Sequence, residues 1–304
     1  MSDAPLVIVN PVAGGGRSAA VARRLDGELR ESAAEVRWTS FAGEGEEIAR
    51  RACVDGRGRI VAIGGDGTLQ EIVNGLLAAG RDAMPVLGIV PSGRGNDLAR
   101  SIGLPPGPLA AWRVAATADG GWADVLHATR DDGRERWFAS AGGAGFDAQV
   151  AAAMSGRRGW RRSAMGYAIA TLNELRRYGN RPLRVMIDDE PLIERTSLFV
   201  AIANGEYYGG GMRIAPGAEV GDGMLDVCLV GDIARSEAVR WLPRLYRGTH
   251  LANRNVELFR GRSVRIESTE PTSVHLDGEP FGALPVTVTL RPRALRIAGY
   301  ASNS

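Results

Sequence analysis

The sequence predicts an α/β domain followed by a β-rich domain, and three observations carry that reading. Within the first hundred residues, apolar runs of strand length end three times in glycine-rich turns that lead into helices. From Trp122 onward, short runs of alternating character are separated by turns. The helical texture returns in the second half only over 147–178 and 234–248. The boundary falls near 122–125, giving domains 1–123 and 124–304, with the final segment able to pack back on the first domain.

The elements follow in order. Leu6 to Val9 is a short strand ended by Asn10-Pro11. A glycine run, Gly14-Gly15-Gly16, then precedes Arg17 and an amphipathic helix over 19–29 through Val21, Leu25 and Leu29. Val36 to Thr39 is a second strand, and 44–53 a helix. Ile60 to Ile63 is a buried strand running into Gly64-Gly65-Asp66-Gly67-Thr68. Leu69, Ile72, Val73, Leu76 and Leu77 recur behind it at helical spacing. Val86 to Val90 is another strand, followed by Gly93-Arg94-Gly95-Asn96-Asp97 and a helix from Leu98. Three such turns suggest an open, mostly parallel sheet with a site along its carboxyl edge. A helix over 109–118 closes the first domain. The second has strands over 123–127, 136–140, 183–187, 197–203, 225–230, 264–267, 272–276 and 286–290.

Composition excludes several classes. The chain of 304 residues is 44% hydrophobic and 24% charged, with a formal charge of +2, and has no zinc-finger spacing or basic tail. No nucleic-acid partner is therefore expected. All basic residues except histidine are Arg; there is no Lys. Cationic phosphate contacts must then come from Arg or backbone N–H. Cys53 and Cys228, far apart in apolar or mixed stretches, read as reduced thiols of a cytoplasmic protein. The opening MSDAPLVIVNP has neither a basic nor a long apolar region, so no signal peptide is expected. No apolar run approaches the roughly 18 residues that span a bilayer. Three scattered histidines, His127, His250 and His275, argue against a histidine zinc site.

The glycine turns carry the chemistry. Glycines at 64, 65 and 67 let backbone approach a ligand, and the helix start behind them suits a phosphate. An acid there repels an anion unless a cation intervenes, so Asp66 points to a Mg²⁺-nucleotide; a helix N-cap is the plainer reading. At 93–97, Asn96 or Asp97 equally reads as a cap. Asp222 and Asp226, after Gly209-Gly210-Gly211, offer oxygen ligands suited to Mg²⁺, or else Asp222-Gly223 is a hairpin turn. Asp277-Gly278 is a strong hairpin signal, and Asp277 and Glu279 include a candidate general base. Arg157, Arg158, Trp160, Arg161 and Arg162 suit an anionic membrane surface or form a solvated loop.

Taken together, these motifs resemble the bacterial diacylglycerol kinase family, which includes lipid kinases of the YegS type and is related to sphingosine and ceramide kinases. The resemblance rests on Asn10-Pro11, the 64–68 turn with Glu71 and Asn74-Gly75, and the 93–97 turn. It continues through Gly145-Phe146-Asp147-Ala148, 208–212, Asp222-Gly223 with Leu225-Asp226, and Asp277-Gly278-Glu279, and it covers nearly the whole chain. The 64–68 motif alone is shared with NAD kinases and phosphofructokinases. The resemblance implies a NAD-kinase-like α/β domain, a C-terminal β-sandwich, and ATP between the two. It implies ATP contacts at Asn10, Arg17, Thr39, Gly64, Gly65, Asp66, Gly67, Thr68, Leu69, Gln70, Gly93, Arg94, Asn96 and Asp97. A structural Mg²⁺ is implied at Asp222 with backbone oxygens of Glu219 and Met224. Glu279 becomes the proton acceptor from a lipid hydroxyl, and Asp66 essential near the phosphates. A lipid alcohol substrate, a peripheral position at the inner face of the membrane and a homodimer are compatible with it. Two departures stand out: Arg94 where the family usually has Thr, and Gln70 where it usually has Asn. A soluble-substrate kinase acting on NAD or a sugar, and a non-catalytic binding module, stay open as rivals.

Overall fold

The structure is a computed structural model that describes residues 4–80, 84–154 and 164–301. The chain forms two compact units. Unit 1 takes Met1–Val125, Val220–Gly223 and Arg291–Ser304; unit 2 takes Leu126–Glu219 and Met224–Leu290. The chain thus passes between them at four points, where the sequence suggested one crossing and a returning tail.

Unit 1 alternates strand and helix: β1 (Leu6–Val9), α1 (Arg17–Arg24), α2 (Asp26–Glu31), β2 (Glu35–Trp38), α3 (Glu44–Val54), β3 (Arg59–Gly64), α4 (Asp66–Ala78), β4 (Val86–Pro91), α5 (Asp97–Ser101) and α6 (Pro108–Thr117). Its strands are parallel in the order β2-β1-β3-β4, with Leu6 opposite Glu35 and Ile60, and Ile60 opposite Leu87. Residues of β1 are all buried, as in a parallel sheet covered on both faces. Val7, Val9, Val61, Ile63 and Val90 pack with Leu25, Leu29 and Trp112 of the helices. One expectation fails: the helix over 19–29 is two. Leu25 leaves helical geometry at φ −93°, ψ 9°, and α2 restarts at Asp26, where an Asp-Gly pair favours a restart over continuation.

After β5 (Gly120–Arg130), unit 2 contains β6 (Glu135–Phe138), β7 (Ala141–Gly145), α7 (Phe146–Met154), α8 (Ala164–Arg177), β8 (Arg181–Ile187), β9 (Ile193–Ala203), β10 (Tyr207–Tyr208), β11 (Met212–Arg213), β12 (Leu225–Gly231), α9 (Arg235–Arg247), β13 (Val256–Gly261), β14 (Ser263–Ser268), β15 (Ser273–Leu276), β16 (Glu279–Ala283) and the first part of β17 (Val286–Ala298). The strands pair antiparallel in the order β16-β15-β7-β9-β8-β14-β17, and β12 joins β9 to β13. Strand β12 and the part of β9 over 197–203 are buried on both faces. Val200, Ile202, Val227 and Leu229 face one core, enclosed between strands as in a sandwich. Phe199, Ala201, Cys228 and Val230 face a second, which includes Phe146 of α7 and Leu175 of α8. The Ala-Gly-Gly-Ala-Gly strand β7 lies in the middle of this sheet. A Cβ on Gly143 would come 2.1 Å from an Asp147 carboxylate oxygen, so the strand needs its glycine.

Candidate functional site

In unit 1 three loops leave the carboxyl ends of β1, β3 and β4. The Asn10 side chain accepts the Val12 N–H at 3.2 Å and starts the first turn. Gly14, Gly15 and Gly16 follow with φ of 63°, 75° and 91°, left-handed geometry that favours glycine. A Cβ on Gly14 would lie 2.4 Å from the Ser92 carbonyl oxygen. Beside it, the Ser18 and Ser92 hydroxyls share a buried 2.6 Å hydrogen bond. A Cβ on Gly93 would meet the Gly65 Cα at 2.6 Å. The loops nest because they lack side chains where they cross.

Asp66 is the clasp between two of them. One carboxylate oxygen accepts the Asn96 N–H and the other the Asp97 N–H, both at 2.8 Å. Both N–H groups lie at the start of α5, where a helix has no partners of its own for its first N–H groups. The plain N-cap reading therefore points to the wrong helix: α4 has no side-chain cap, and Asp66 serves the next helix along the sheet. Burial pushes the Asp66 carboxyl above the ordinary range, against the pull of the two N–H groups and Arg100. Asn96, at φ 52°, closes its own loop by accepting the Gly93 N–H and donating to the Gly93 carbonyl.

The other expected nucleotide contacts divide. Gly65, Gly67 and Arg94 are partly or fully exposed, as is Arg17 at the start of α1. The Arg94 guanidinium extends over Gly15, so a cation lies beside the first glycine loop. The Thr68 hydroxyl is buried over Gly64 with no hydrogen-bond partner among the described residues. Thr39, Leu69 and Gln70 are buried, as are Gly64, Gly93 and Asp97. Glu71 accepts the Gly43 and Gly45 N–H groups, which makes it a support for α3.

The 219–224 loop exposes Glu219 and Asp222, with Met224 half-buried. Its support is Asp124, a buried residue that the sequence reading did not single out. The Asp124 carboxylate accepts the Gly223 and Arg293 N–H groups at 2.8 Å, and its own N–H donates to the Val220 carbonyl. Among the described residues no group of three or more His, Cys, Asp or Glu is placed to hold a metal ion. A cation at this loop would rest on the single Asp222 carboxylate, backbone carbonyls and water, a donor set of oxygens that suits a hard ion such as Mg²⁺.

In unit 2 the β15–β16 turn presents Glu279. Asp277 and Gly278 both have positive φ, at 47° and 82°. The Asp277 carboxylate accepts three backbone N–H groups, from Ala139, Ser140 and Ala141, at 3.0–3.1 Å. Of the two acids in this turn, Asp277 is thus occupied in holding it. Glu279 is exposed, and its side chain has no hydrogen bond or ion pair among the described residues. His275, next to the turn, is buried. Its Nδ1 accepts the Gly278 N–H at 3.3 Å, so its Nε2 carries the proton and donates to Asp147 at 3.2 Å. The Tyr208 ring stacks near it, 6.5 Å between centroids. Asp147 and His275 are 128 residues apart, and no local pattern marks them as a pair.

Unit 2 also holds an apolar cleft lined by Phe146, Leu175, Phe199, Val230, Trp241 and Leu242, among others. The Arg157–Arg162 patch lies outside the described residues.

Comparison with known proteins agrees with this arrangement. Residues 4–128 match the diacylglycerol kinase catalytic domain, and residues 140–299 match the YegS C-terminal NAD kinase beta sandwich-like domain. A "Diacylglycerol kinase" of Mycobacterium tuberculosis (strain ATCC 25618 / H37Rv) is 31% identical over 298 residues, 95% of this chain and 93% of that one. A "Probable lipid kinase YegS-like" of Chromohalobacter salexigens is 32% identical over 279 residues, 91% and 88% of the two chains. A crystal structure of a putative diacylglycerol kinase from Bacillus anthracis str. Sterne superimposes with a TM-score of 0.76 at 23% identity, covering 99% of each chain, and supports the fold. The chain belongs to the bacterial diacylglycerol kinase family and is a lipid kinase.

Proposed function

We propose that the protein is an ATP- and Mg²⁺-dependent lipid kinase that transfers the γ-phosphate to the hydroxyl of diacylglycerol or a similar lipid alcohol. The observation that carries this is the pairing of chemistries: three interlocked glycine loops in unit 1, and an apolar cleft in unit 2. The cleft favours a lipid acceptor over NAD or a sugar, which would leave its apolar walls unmatched.

In this reading the glycine loops bind the nucleotide through backbone N–H groups, with Arg17 and Arg94 as the cations. Asp66 fixes the 93–97 loop against the 64–68 loop. Asp222, with the carbonyls of Glu219 and Met224, would hold Mg²⁺, which when bound would supply positive charge beside the carboxylate. The lipid hydroxyl oxygen forms the new bond to the γ-phosphorus while the bond to the bridging oxygen of ADP breaks. Glu279 takes the hydroxyl proton. No helix of the described residues is long and apolar enough to cross a membrane. In this reading the enzyme meets its lipid from the aqueous side, at the cytoplasmic face.

The test is transfer of labelled γ-phosphate to a panel of diacylglycerol, monoacylglycerol, ceramide, sphingosine and NAD, with and without Mg²⁺. Label in a lipid, lost on chelation, supports the proposal. Label in NADP alone overturns the lipid acceptor, and undiminished transfer under chelation overturns the metal.

A further inference from the structure

Helix α9 has no fully buried residue, yet it is strongly two-sided. Its inner side, Ala238, Trp241, Leu242 and Leu245, walls the apolar cleft of unit 2 together with Val239, which is itself exposed. Its outer side exposes Arg240, Arg244 and Arg247, which fall within one sector of about 60° at helical spacing. Val239, Pro243 and Tyr246 occupy the neighbouring sector, with Val239 43% and Tyr246 47% exposed. Arg244 lies over the Trp241 ring at 4.0 Å.

The charge on this face is uncompensated. None of the three arginines makes an ion pair among the described residues. The one acid of the helix, Glu237, is half-buried and accepts from Asn253 at 2.9 Å. Arg265 and Arg184 of the same unit are, by contrast, paired, Arg265 with Asp131 and Glu267, Arg184 with Glu194 and Glu267. A basic face, flanked by an aliphatic and an aromatic side chain and backed by an apolar cleft, has the composition of a helix that lies in a membrane interface.

We propose that α9 docks unit 2 on an anionic lipid bilayer. Arg240, Arg244 and Arg247 contact lipid phosphates, Val239 and Tyr246 enter the headgroup boundary, and the cleft behind the helix opens toward the bilayer. Only the last clause rests on the lipid-kinase reading. The occupant is a bilayer surface because the exposed sector of Arg240, Arg244 and Arg247 carries three positive charges and no acid, which a second copy of the same helix would repel.

The test is co-sedimentation of the full chain, without ATP, on phosphatidylcholine vesicles with and without phosphatidylglycerol. Wild type is expected to sediment with the anionic vesicles, and less at high salt. Each basic residue near an anionic surface contributes roughly a fivefold factor. The triple variant Arg240→Glu, Arg244→Glu, Arg247→Glu should therefore lose more than about a hundredfold in partition. Circular dichroism checks its folding, and Arg247→Glu alone, expected at about fivefold or more, serves if the triple variant does not fold. The same variant should lose phosphorylation of vesicle-embedded diacylglycerol yet keep that of a water-soluble short-chain one. Equal wild-type binding to neutral vesicles, or undiminished binding by the variants, overturns the proposal. So does a concentration-dependent dimer abolished by the variants, which would assign the face to a second copy. If no lipid is phosphorylated at all, the functional reading falls while the sedimentation result still decides α9.

Discussion

Asp66 and Asp277 do the same kind of work in different units. Each carboxylate collects backbone N–H groups from a distant loop: two for Asp66, three for Asp277. An amide cannot replace either, because one of its two ends would turn a donor toward a donor. Asp66→Asn and Asp277→Asn should each lower stability by about 2 kcal/mol, the scale of hydrogen bonds to a charged group, in urea unfolding. Asp66→Asn should in addition raise the KM for ATP, whereas Asp277→Asn should act on the lipid side. His250 gives a prediction about acid. Its Nε2 donates to the Ile214 carbonyl at 3.1 Å, its Nδ1 is buried without a partner among the described residues, and burial holds its pKa below the ordinary histidine value of 6.5. Between the two values the unfolded chain binds a proton that the folded chain refuses, so stability falls as pH drops below about 6.5. His250→Gln should flatten that part of the stability–pH curve. An unchanged slope would mean that other groups set it.

At the scale of elements, the sequence showed what has local chemistry. Strands β1, β3 and β4 were legible because apolar runs met glycine turns, and the DG pair at 277–278 marked its hairpin. Strand β7 was not legible. Ala and Gly have no strand preference, and the strand exists because its neighbours leave no room for side chains. Gly143→Ala tests this: overpacking against Asp147 should cost about 1–3 kcal/mol, read as a lower melting temperature. A variant as stable as wild type would show that the strand can shift. The roles of Asp124 and the Asp147–His275 pair were equally hidden, since their partners lie far away in sequence. The break at Leu25 was missed because the apolar spacing runs through it.

At the scale of the whole molecule, the two units each bury one cysteine, Cys53 in unit 1 and Cys228 in unit 2. Burial raises both thiols, Cys228 to about 12. Native protein should therefore resist a thiol reagent, and labelling in rising urea, followed by peptide mapping, should report the opening of each unit separately. Rapid labelling of Cys228 without denaturant would contradict its burial. The central proposal is that Glu279 takes the hydroxyl proton of the lipid as the γ-phosphate of ATP is transferred to it. Its most direct test is the kcat for γ-phosphate transfer from ATP to dispersed diacylglycerol by Glu279→Gln, with ATP affinity measured alongside. The account predicts a fall in kcat of about 10²–10⁴-fold, the scale of a lost general base, with ATP affinity unchanged. Wild-type turnover by Glu279→Gln would contradict it.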